Sequence, residues 1–237
     1  IFNMKKILIT GGTGFIGSHL VRSCIKKRWN TYSLSSRRIK KKDKINNAKY
    51  IFLDLTNAKK LKILKKIKFD IVVNLSGEVN HKLKTKVIDT HYLGVKNLLD
   101  NLNLSHLKTF IQIGSSAEYA KTNKIQKENL KCKPRSHYGK AKLSATNYLL
   151  NNNKFKNFSK CVLRLYQVYG PNQKENRIIP YVIQNALLDK NFKCSAGLQI
   201  RDFIYVSDVI SAIFKCIYNS KKINNQVINI GFGKGFK

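Results

Sequence analysis

The sequence predicts an α/β protein built on a doubly wound parallel sheet, and two patterns carry that prediction. Short apolar runs alternate with longer amphipathic segments over the first 170 residues, the rhythm of repeated strand–helix–strand units. Runs such as Ile71, Val72 and Val73 are continuously apolar, as in strands covered by helices on both faces. Right-handed crossovers then place the ligand crevice at the carboxyl ends of the strands.

The elements follow from these periods in chain order. A first strand over 5–10 leads through a glycine loop into a helix over 15–27. Apolar runs predict further strands at 31–35, 50–53, 70–75, 107–113 and 161–166, and helical spacing predicts helices at 58–67, 86–103 and 138–151. Beyond about residue 170 the pattern changes to helices at 178–189 and 208–218, a strand at 226–230 and a short strand pair near Cys194 and Ile200. The chain stops in a glycine-rich turn, which suggests an interrupted domain.

Composition narrows the class of protein. The chain has 237 residues, with 46 Lys and Arg against 12 Asp and Glu, a formal net charge of +34. A basic surface could bind nucleic acid, but the excess is spread along the chain together with Asn and Ile, so a general drift in composition explains it better. No apolar run reaches the roughly eighteen residues of a membrane span. Five scattered cysteines fit reduced thiols in the cytoplasm and predict no metal site.

The glycine loop predicts a dinucleotide site. Gly11, Gly14 and Gly17 stand between the first strand and the first helix, where glycine permits a tight turn and close backbone approach. The N–H groups at the start of that helix, near Phe15 and Ile16, attract a pyrophosphate. We therefore assign 4–170 to a dinucleotide-binding domain and 171–237 to a partial substrate-binding lobe interleaved with returning elements of the first domain.

The second strand bears on which dinucleotide binds. An acid at its end would hold the 2′-hydroxyl of NAD, but here it is followed by Arg37 and Arg38. Arginines there favour the 2′-phosphate of NADP, unless they belong to the general basic excess. Asp54, after the third strand, is a predicted acceptor for the adenine amino group.

A tyrosine and a lysine four residues apart predict an acid/base group. Tyr138 and Lys142 share one face of a helix, so the ammonium is expected to lower the pKa of the phenol toward working pH. Tyr138 could then exchange a proton with a sugar hydroxyl or ketone. Ser115, at the end of the strand over 107–113, would supply a second hydrogen bond to the reacting oxygen.

Taken together, these motifs resemble the extended short-chain dehydrogenase/reductase family, in its NAD-dependent epimerase/dehydratase (nucleotide-sugar) branch. The resemblance spans nearly the whole chain and implies a Rossmann fold, a homodimer and a nucleotide-sugar substrate, in addition to the cytoplasmic location that the cysteines indicate. It implies a catalytic triad of Ser115, Tyr138 and Lys142. It further implies dinucleotide contacts from Leu55, Leu75, Ser76, Gly77, Tyr166 and Val168, and substrate contacts from Ser116, Asn176, Arg177 and Arg201.

Two departures from the family pattern narrow the chemistry. The family's 4,6-dehydratases carry Thr-Asp-Glu at the end of this strand, where the acid and base eliminate water. An ungapped alignment places Ser115, Ser116 and Ala117 there, and only a one-residue slip would bring in Glu118. His91 also stands where relatives usually have asparagine.

The sequence is consistent with three hypotheses for the function. The favoured one is an NAD(P)-dependent 4-ketoreductase or 4-epimerase of a nucleotide-linked hexose, in surface polysaccharide synthesis, with NADP favoured over NAD. The alternatives are a nucleotide-sugar 4,6-dehydratase and a non-catalytic dinucleotide-binding protein. We expect neither a specific nucleic-acid partner nor a membrane partner.

Overall fold

The computed structural model describes residues 4–78, 83–120 and 125–237. The strands are β1 (Lys6–Thr10), β2 (Asn30–Ser35), β3 (Lys49–Phe52), β4 (Ile71–Asn74), β5 (Thr109–Ser115), β6 (Ser159–Leu165), β7 (Gln167–Tyr169), β8 (Phe203–Tyr205) and β9 (Gln226–Ile230). Within the described residues, seven of them form a parallel sheet in the order β3-β2-β1-β4-β5-β6-β9. Strand order reverses between β1 and β4, so the predicted doubly wound sheet is confirmed.

Helices cover both faces of this sheet. They are α1 (Phe15–Lys26), α2 (Ala58–Leu61), α3 (Lys84–Ile88), α4 (Gly94–Asp100), α5 (His137–Asn151), α6 (Ile178–Leu187) and α7 (Val206–Tyr218). Because side chains alternate along a strand, Ile7 and Ile9 pack into a core with residues of α1 and α7. Leu8 and Val72 pack into a second core with residues of α2, α4 and α5. No helix in the described part of the chain is long and apolar enough to cross a membrane.

A row of polar side chains runs through the middle of the sheet. Thr10 donates a short hydrogen bond to the Oδ1 atom of Asn74, whose Nδ2 atom donates to Oε1 of Gln112 at 2.8 Å. The three residues are fully buried and stand directly opposite one another on β1, β4 and β5. Each buried polar group therefore has a partner on the neighbouring strand.

Several predicted boundaries differ from the structure. The predicted strand pair near Cys194 and Ile200 is wrong, because residues 190–200 form no strand, and the second small sheet pairs β7 with β8 instead. The helix predicted over 58–67 changes after α2 into a 3₁₀ helix over Lys62–Lys66. A π-helical turn over Asp89–Leu93 joins α3 to α4.

The last part of the chain returns to the sheet through β9, which pairs with β6. Asp202 fixes the turn that follows β9, because its two carboxylate oxygens accept the N–H groups of Phe232 at 2.7 Å and Gly233 at 2.8 Å. An isolated antiparallel bridge joins Arg201 to Phe236. By contrast, none of the residues of the apolar helix α6 is buried.

Candidate active site

The glycine loop makes the tight turn that the sequence predicts. Gly11 has a φ of +67°, a left-handed conformation that favours glycine, and its N–H donates to the Leu34 carbonyl at 2.8 Å. A Cβ atom on Gly11 would lie 2.9 Å from the carbonyl oxygen of Leu75. The loop after β1 thus lies directly against the segment that follows β4, and a side chain at Gly11 would push the two apart.

The start of α1 is open to an anion. A Cβ atom on Gly17 would lie 2.1 Å from the Gly11 carbonyl oxygen, so only glycine lets the helix approach the loop this closely. Gly14 is the N-cap residue, and no side chain in the described part of the chain caps the first turn. The first N–H groups of α1 therefore remain available, and the cradle fits the pyrophosphate of a dinucleotide.

The residues after β4 lie beside this loop. The N–H of Ser76 is within 3.3 Å of both Oγ1 of Thr10 and Oδ1 of Asn74, so the central polar row also fixes the backbone here. Leu75 is half-buried and Gly77 is exposed. Their geometry suits the predicted contact with a cofactor ribose.

The residues predicted to select the dinucleotide lie after β2 and β3. Arg37 and Arg38 are exposed just beyond the end of β2. Asp54 is also exposed, and its Oδ1 atom accepts hydrogen bonds of 2.9 Å from the N–H and the hydroxyl of Thr56. Leu55 is buried and packs in the core on the α4 side. One carboxylate oxygen of Asp54 thus shapes its own turn, and the other has no hydrogen bond within the described residues.

Further predicted contact residues flank α1 and β6. Phe15 meets the ring of His19 edge-on, and His19 is 2.9 Å from the Pro171 carbonyl oxygen. Ile16 and Val168 are both partly buried against the core that α1 and α7 share. The hydroxyl of Tyr166 donates to Gln126 at 2.8 Å, and burial raises the pKa of that phenol to about 12.

Ser115 lies at the carboxyl end of β5, where a capping box holds it. Its hydroxyl accepts the N–H of Ala117 at 3.2 Å, and its own N–H donates to the Glu118 carboxylate at 2.9 Å. The two bonds close the 3₁₀ turn over Ser116–Glu118. The turn therefore sets where the Ser115 hydroxyl points.

Glu118 does not face the candidate active site. It is fully buried, and its Oε2 atom accepts 2.9 Å hydrogen bonds from Nε of Arg164 and from the hydroxyl of Thr146. This carboxylate ties β5, α5 and β6 together beneath the strand ends. Glu118 therefore does not occupy the position of a dehydratase acid that a one-residue slip in the alignment would give it. The sequence analysis did not predict its structural role. The Ser-x-x-Glu spacing was the signal that could have revealed it.

Tyr138 reaches Ser115 because the start of α5 docks closely onto this turn. Ser136 caps the helix by accepting the N–H of Gly139 at 3.0 Å. A Cβ atom on Gly139 would lie 2.2 Å from the carbonyl oxygen of Ala117. The Tyr138 hydroxyl lies near enough to the Ser115 side chain for that side chain to affect the pKa of the phenol. The structure thus places two of the three predicted catalytic residues beside each other.

Lys142 lies one turn along α5 and is buried. Its Nζ atom donates to the carbonyl oxygen of Ile113 at 2.7 Å and lies 5.9 Å from the centre of the Tyr138 ring. Burial lowers the pKa of Lys142 to about 8, although the Glu118 carboxylate opposes that shift. The charge of the Lys142 amine therefore changes close to neutral pH. Its Nζ atom lies against the carboxyl end of β5, the strand that also carries Ser115.

The predicted lowering of the Tyr138 pKa by Lys142 is wrong for this structure. Burial raises the pKa of the phenol, and the Glu118 charge adds to the rise. The neighbouring Ser115 side chain and the charge of Arg177 oppose it. The physical reason is that a phenolate loses hydration in this pocket, while the Lys142 ammonium is turned toward a backbone carbonyl.

The predicted substrate-contacting residues are brought together only in part. Ser116 is half-buried in the turn after Ser115. Arg177 is exposed at the N-cap of α6, beside Asn176, and is near enough to Tyr138 to affect its pKa. Arg201 is exposed and donates to the Ile200 carbonyl at 2.9 Å. Within the described residues it forms no ion pair with Asp202 or Asp208.

Comparison with known proteins places the chain in a family. The model of the NAD dependent epimerase/dehydratase family matches residues 7–231. A dTDP-D-glucose 4,6-dehydratase of Dictyostelium discoideum is 30% identical over 96% of this chain. A GDP-6-deoxy-D-talose 4-dehydrogenase of Aggregatibacter actinomycetemcomitans is 29% identical over 98% of this chain and 76% of its own length.

The fold agrees with these relatives. The crystal structure of the UDP-glucose 4-epimerase of Thermotoga maritima with UDP-glucose superposes with a TM-score of 0.88, at 25% identity, over 97% of this chain and 78% of that one. The chain spans 58% of the length of the Dictyostelium relative. The match of sequence and fold over nearly every described residue shows that the chain belongs to the NAD-dependent epimerase/dehydratase family.

Proposed function

We propose that the protein is an NAD(P)-dependent oxidoreductase that acts at C4 of a nucleotide-linked hexose, as a 4-ketoreductase or a 4-epimerase. The observation that carries the proposal is the placement of Tyr138 beside Ser115 at the carboxyl end of β5, where the start of α5 packs against Ala117 and Lys142 is buried. The proposal keeps residues 4–170 as the dinucleotide domain, 171–237 as part of a substrate lobe, and a cytoplasmic homodimer as the state of the protein.

The residues of this chain would divide the work as follows. The start of α1 and the glycine loop hold the pyrophosphate, and Leu75 to Gly77 lie along the ribose. When bound, the nicotinamide ring supplies or accepts the hydride at C4 of the sugar. Tyr138 moves the proton at the sugar oxygen, and Ser115 orients that oxygen by a second hydrogen bond. Arg177 would contact the phosphates of the nucleotide-sugar.

Reduction or epimerisation is favoured over dehydration by what lies after Ser115. Elimination of water needs an acid and a base there, and Ser116 and Ala117 provide neither. Glu118 is held in a buried ion pair with Arg164. A dehydratase remains the second candidate because the Dictyostelium relative bears that name. Mass spectrometry of the product separates the two, since only dehydration removes the mass of one water.

The first experiment asks which dinucleotide the protein takes. The family description names NAD, whereas Arg37 and Arg38 favour NADP. The purified protein is acid-quenched to identify any retained dinucleotide, and the emptied protein is titrated with NADH and NADPH. Retained NAD supports an epimerase that returns its hydride. Stronger NADPH binding that falls in Arg37→Ala and Arg38→Ala, but not in the exposed control Lys41→Ala, supports a reductase.

The second experiment tests the catalytic role of Tyr138. A panel of nucleoside diphosphate hexoses and their 4-keto forms is assayed with wild type and Tyr138→Phe. Loss of the proton donor is expected to lower turnover by about 10²–10⁴-fold while dinucleotide affinity is kept. Tyr148→Phe, on the same helix, is the matched control. A fully active Tyr138→Phe protein would refute the mechanism, and binding without turnover in wild type would support a non-catalytic protein.

A further inference from the structure

The π-helical turn between α3 and α4 directs one histidine into the protein interior. His91 is the single buried residue of the turn over Asp89–Leu93, and it is only 4% exposed. A π-helical turn contains more residues than an α-helical one, and such turns are frequent at functional sites. Here the turn brings an imidazole to the start of α5, where Tyr138 lies.

The segment over 75–78, which follows β4, holds the imidazole in one orientation. The Nε2 atom of His91 is 3.1 Å from the carbonyl oxygen of Glu78. Because a carbonyl oxygen only accepts, Nε2 is the donor, and the neutral ring carries its proton there. Glycine at position 77 leaves the room that the ring occupies, since a Cβ atom on Gly77 would overlap the Cε1 atom of His91. Both the orientation and the tautomer of His91 are therefore set by this segment.

The segment over 75–78 is itself fixed by bonds that do not involve the imidazole. The N–H of Ser76 is within 3.3 Å of Oγ1 of Thr10, which ties it to β1. The N–H of Glu78 donates to Oγ1 of Thr90 at 3.1 Å. The segment includes the residues that we propose lie along the cofactor ribose. His91 thus takes its place from a part of the site that is already anchored.

His91 also contacts the candidate acid/base. Its ring centre is 5.0 Å from that of Tyr138, and the two planes meet at 83°. Tyr138 is the second residue of α5, so its side chain extends from the first turn of that helix. Lys142 lies on the same helix, but its ammonium is bound to the Ile113 carbonyl on β5. His91 therefore joins the tyrosine to the segment over 75–78 by direct contact with both.

We propose that His91 is a positioning residue for Tyr138, and that its imidazole sets the distance between the phenol and the segment over 75–78. This inference rests on the proposed function, because the distance matters only where Tyr138 exchanges a proton with a sugar whose C4 faces the nicotinamide. His91 does not touch the reacting atoms and acts through Tyr138. A displacement of about 1 Å in such a group can lower turnover about 10²-fold.

Steady-state kinetics of matched variants test the proposal. His91→Ala removes the ring, and His91→Phe keeps the ring without the Nε2 donor. Tyr92→Ala is the control, because Tyr92 lies in the same π-helical turn and meets Tyr148 of α5 edge-on, with ring centres 6.2 Å apart. We expect kcat to fall about 10–100-fold in His91→Ala, with KM and dinucleotide affinity unchanged within about twofold. His91→Phe should regain part of the loss, and Tyr92→Ala should keep the kcat of wild type.

A double-mutant cycle distinguishes positioning from a general structural role. Because His91 acts through Tyr138, His91→Ala should lower the kcat of wild type but not the residual kcat of Tyr138→Phe. Equal fractional losses in the two backgrounds would overturn the proposal. A loss in Tyr92→Ala as large as that in His91→Ala would overturn it as well.

An NMR measurement separates this proposal from the proposed function. If wild type turns over no nucleotide-sugar, the proposed function fails, but ¹³C relaxation of ring-labelled tyrosine still reports on Tyr138, whose signal is the one lost in Tyr138→Phe. The order parameter of that ring should fall in His91→Ala and stay at the wild-type value in Tyr92→Ala. An unchanged order parameter in His91→Ala would overturn the positioning role, with or without activity. Should His91→Ala fail to fold, His91→Gln replaces it, since it keeps an amide donor for Glu78 and lacks the ring.

Discussion

The imidazole of His91 meets the ring of Tyr138 edge-on, with ring centres 5.0 Å apart and planes at 83°. His91 is buried, and its Nε2 atom is 3.1 Å from the Glu78 carbonyl oxygen. A Cβ atom on Gly77 would lie 1.8 Å from the imidazole. The histidine thus fills the space between the segment after β4 and the candidate acid/base.

We predict that His91 and Tyr138 stabilise each other by about 1 kcal/mol, as edge-to-face ring pairs do beyond the area they bury. A double-mutant cycle of His91→Ala and Tyr138→Ala, followed by urea denaturation, measures that coupling. The same cycle on His91 and Tyr148, which are not in ring contact, is the control. A coupling near zero for the first pair would show that the contact contributes no stability.

Glu118→Gln is predicted to destabilise the protein by about 3–5 kcal/mol, because it leaves the buried Arg164 charge without its partner. The free energy of unfolding in urea is the measurement. Arg164 and Glu118 are 4% and 0% exposed, so solvent cannot replace the lost carboxylate. The double variant Glu118→Met/Arg164→Met removes both charges and is expected to lie closer to wild type. Equal stability of wild type and Glu118→Gln would contradict the ion pair.

Gly139→Ala is predicted to destabilise the protein by about 1–3 kcal/mol, the usual effect of overpacking. Alanine in place of glycine normally favours a helix by about 1 kcal/mol, so the sign of the change decides which effect dominates. Thermal and urea denaturation measure it, with Lys140→Ala as the exposed neighbour on α5. A more stable Gly139→Ala protein would mean that the helix does not press on the Ala117 carbonyl.

The buried Lys142 predicts a dependence of stability on pH. Its pKa is about 8 in the folded protein against 10.5 in the unfolded chain, so the unfolded state holds more protons between those values. The free energy of unfolding of wild type, relative to Lys142→Met, should therefore rise by up to about 3 kcal/mol from pH 8 to pH 10.5. Below pH 8 the difference should be flat. A flat difference over the whole range would place the lysine in water.

Apolar runs and helical spacing predicted most of the strands and helices, because each of these elements depends mainly on residues close together in the sequence. The first helix, predicted over 15–27, ends at Lys26 in the structure. The prediction of a strand pair near Cys194 and Ile200 was wrong because a strand is stable only when it pairs with another. Residues 190–200 pair with no strand in the described chain. The π-helical turn at Asp89–Leu93 could not be predicted, because it does not change the spacing of apolar residues that predicted one helix over 86–103.

The candidate site was predicted at the level of motifs and not of contacts. The spacing of Tyr138 and Lys142 placed both on one helical face, but not the turn of the ammonium toward Ile113. The partner of Glu118 lies 46 residues away on another strand, and no local rule selects it.

The hydrogen-bonded row of Thr10, Asn74 and Gln112 fixes how β1, β4 and β5 align with one another. Apolar strands such as β4 can slide past each other with small losses in packing, whereas this row is satisfied in one register only. A slip of one residue would leave three buried polar side chains without their hydrogen-bond partners, and each loss would cost about 1–3 kcal/mol of stability. The row thus favours one alignment in a sheet rich in isoleucine and leucine, and it holds the segment after β4 against the glycine loop after β1.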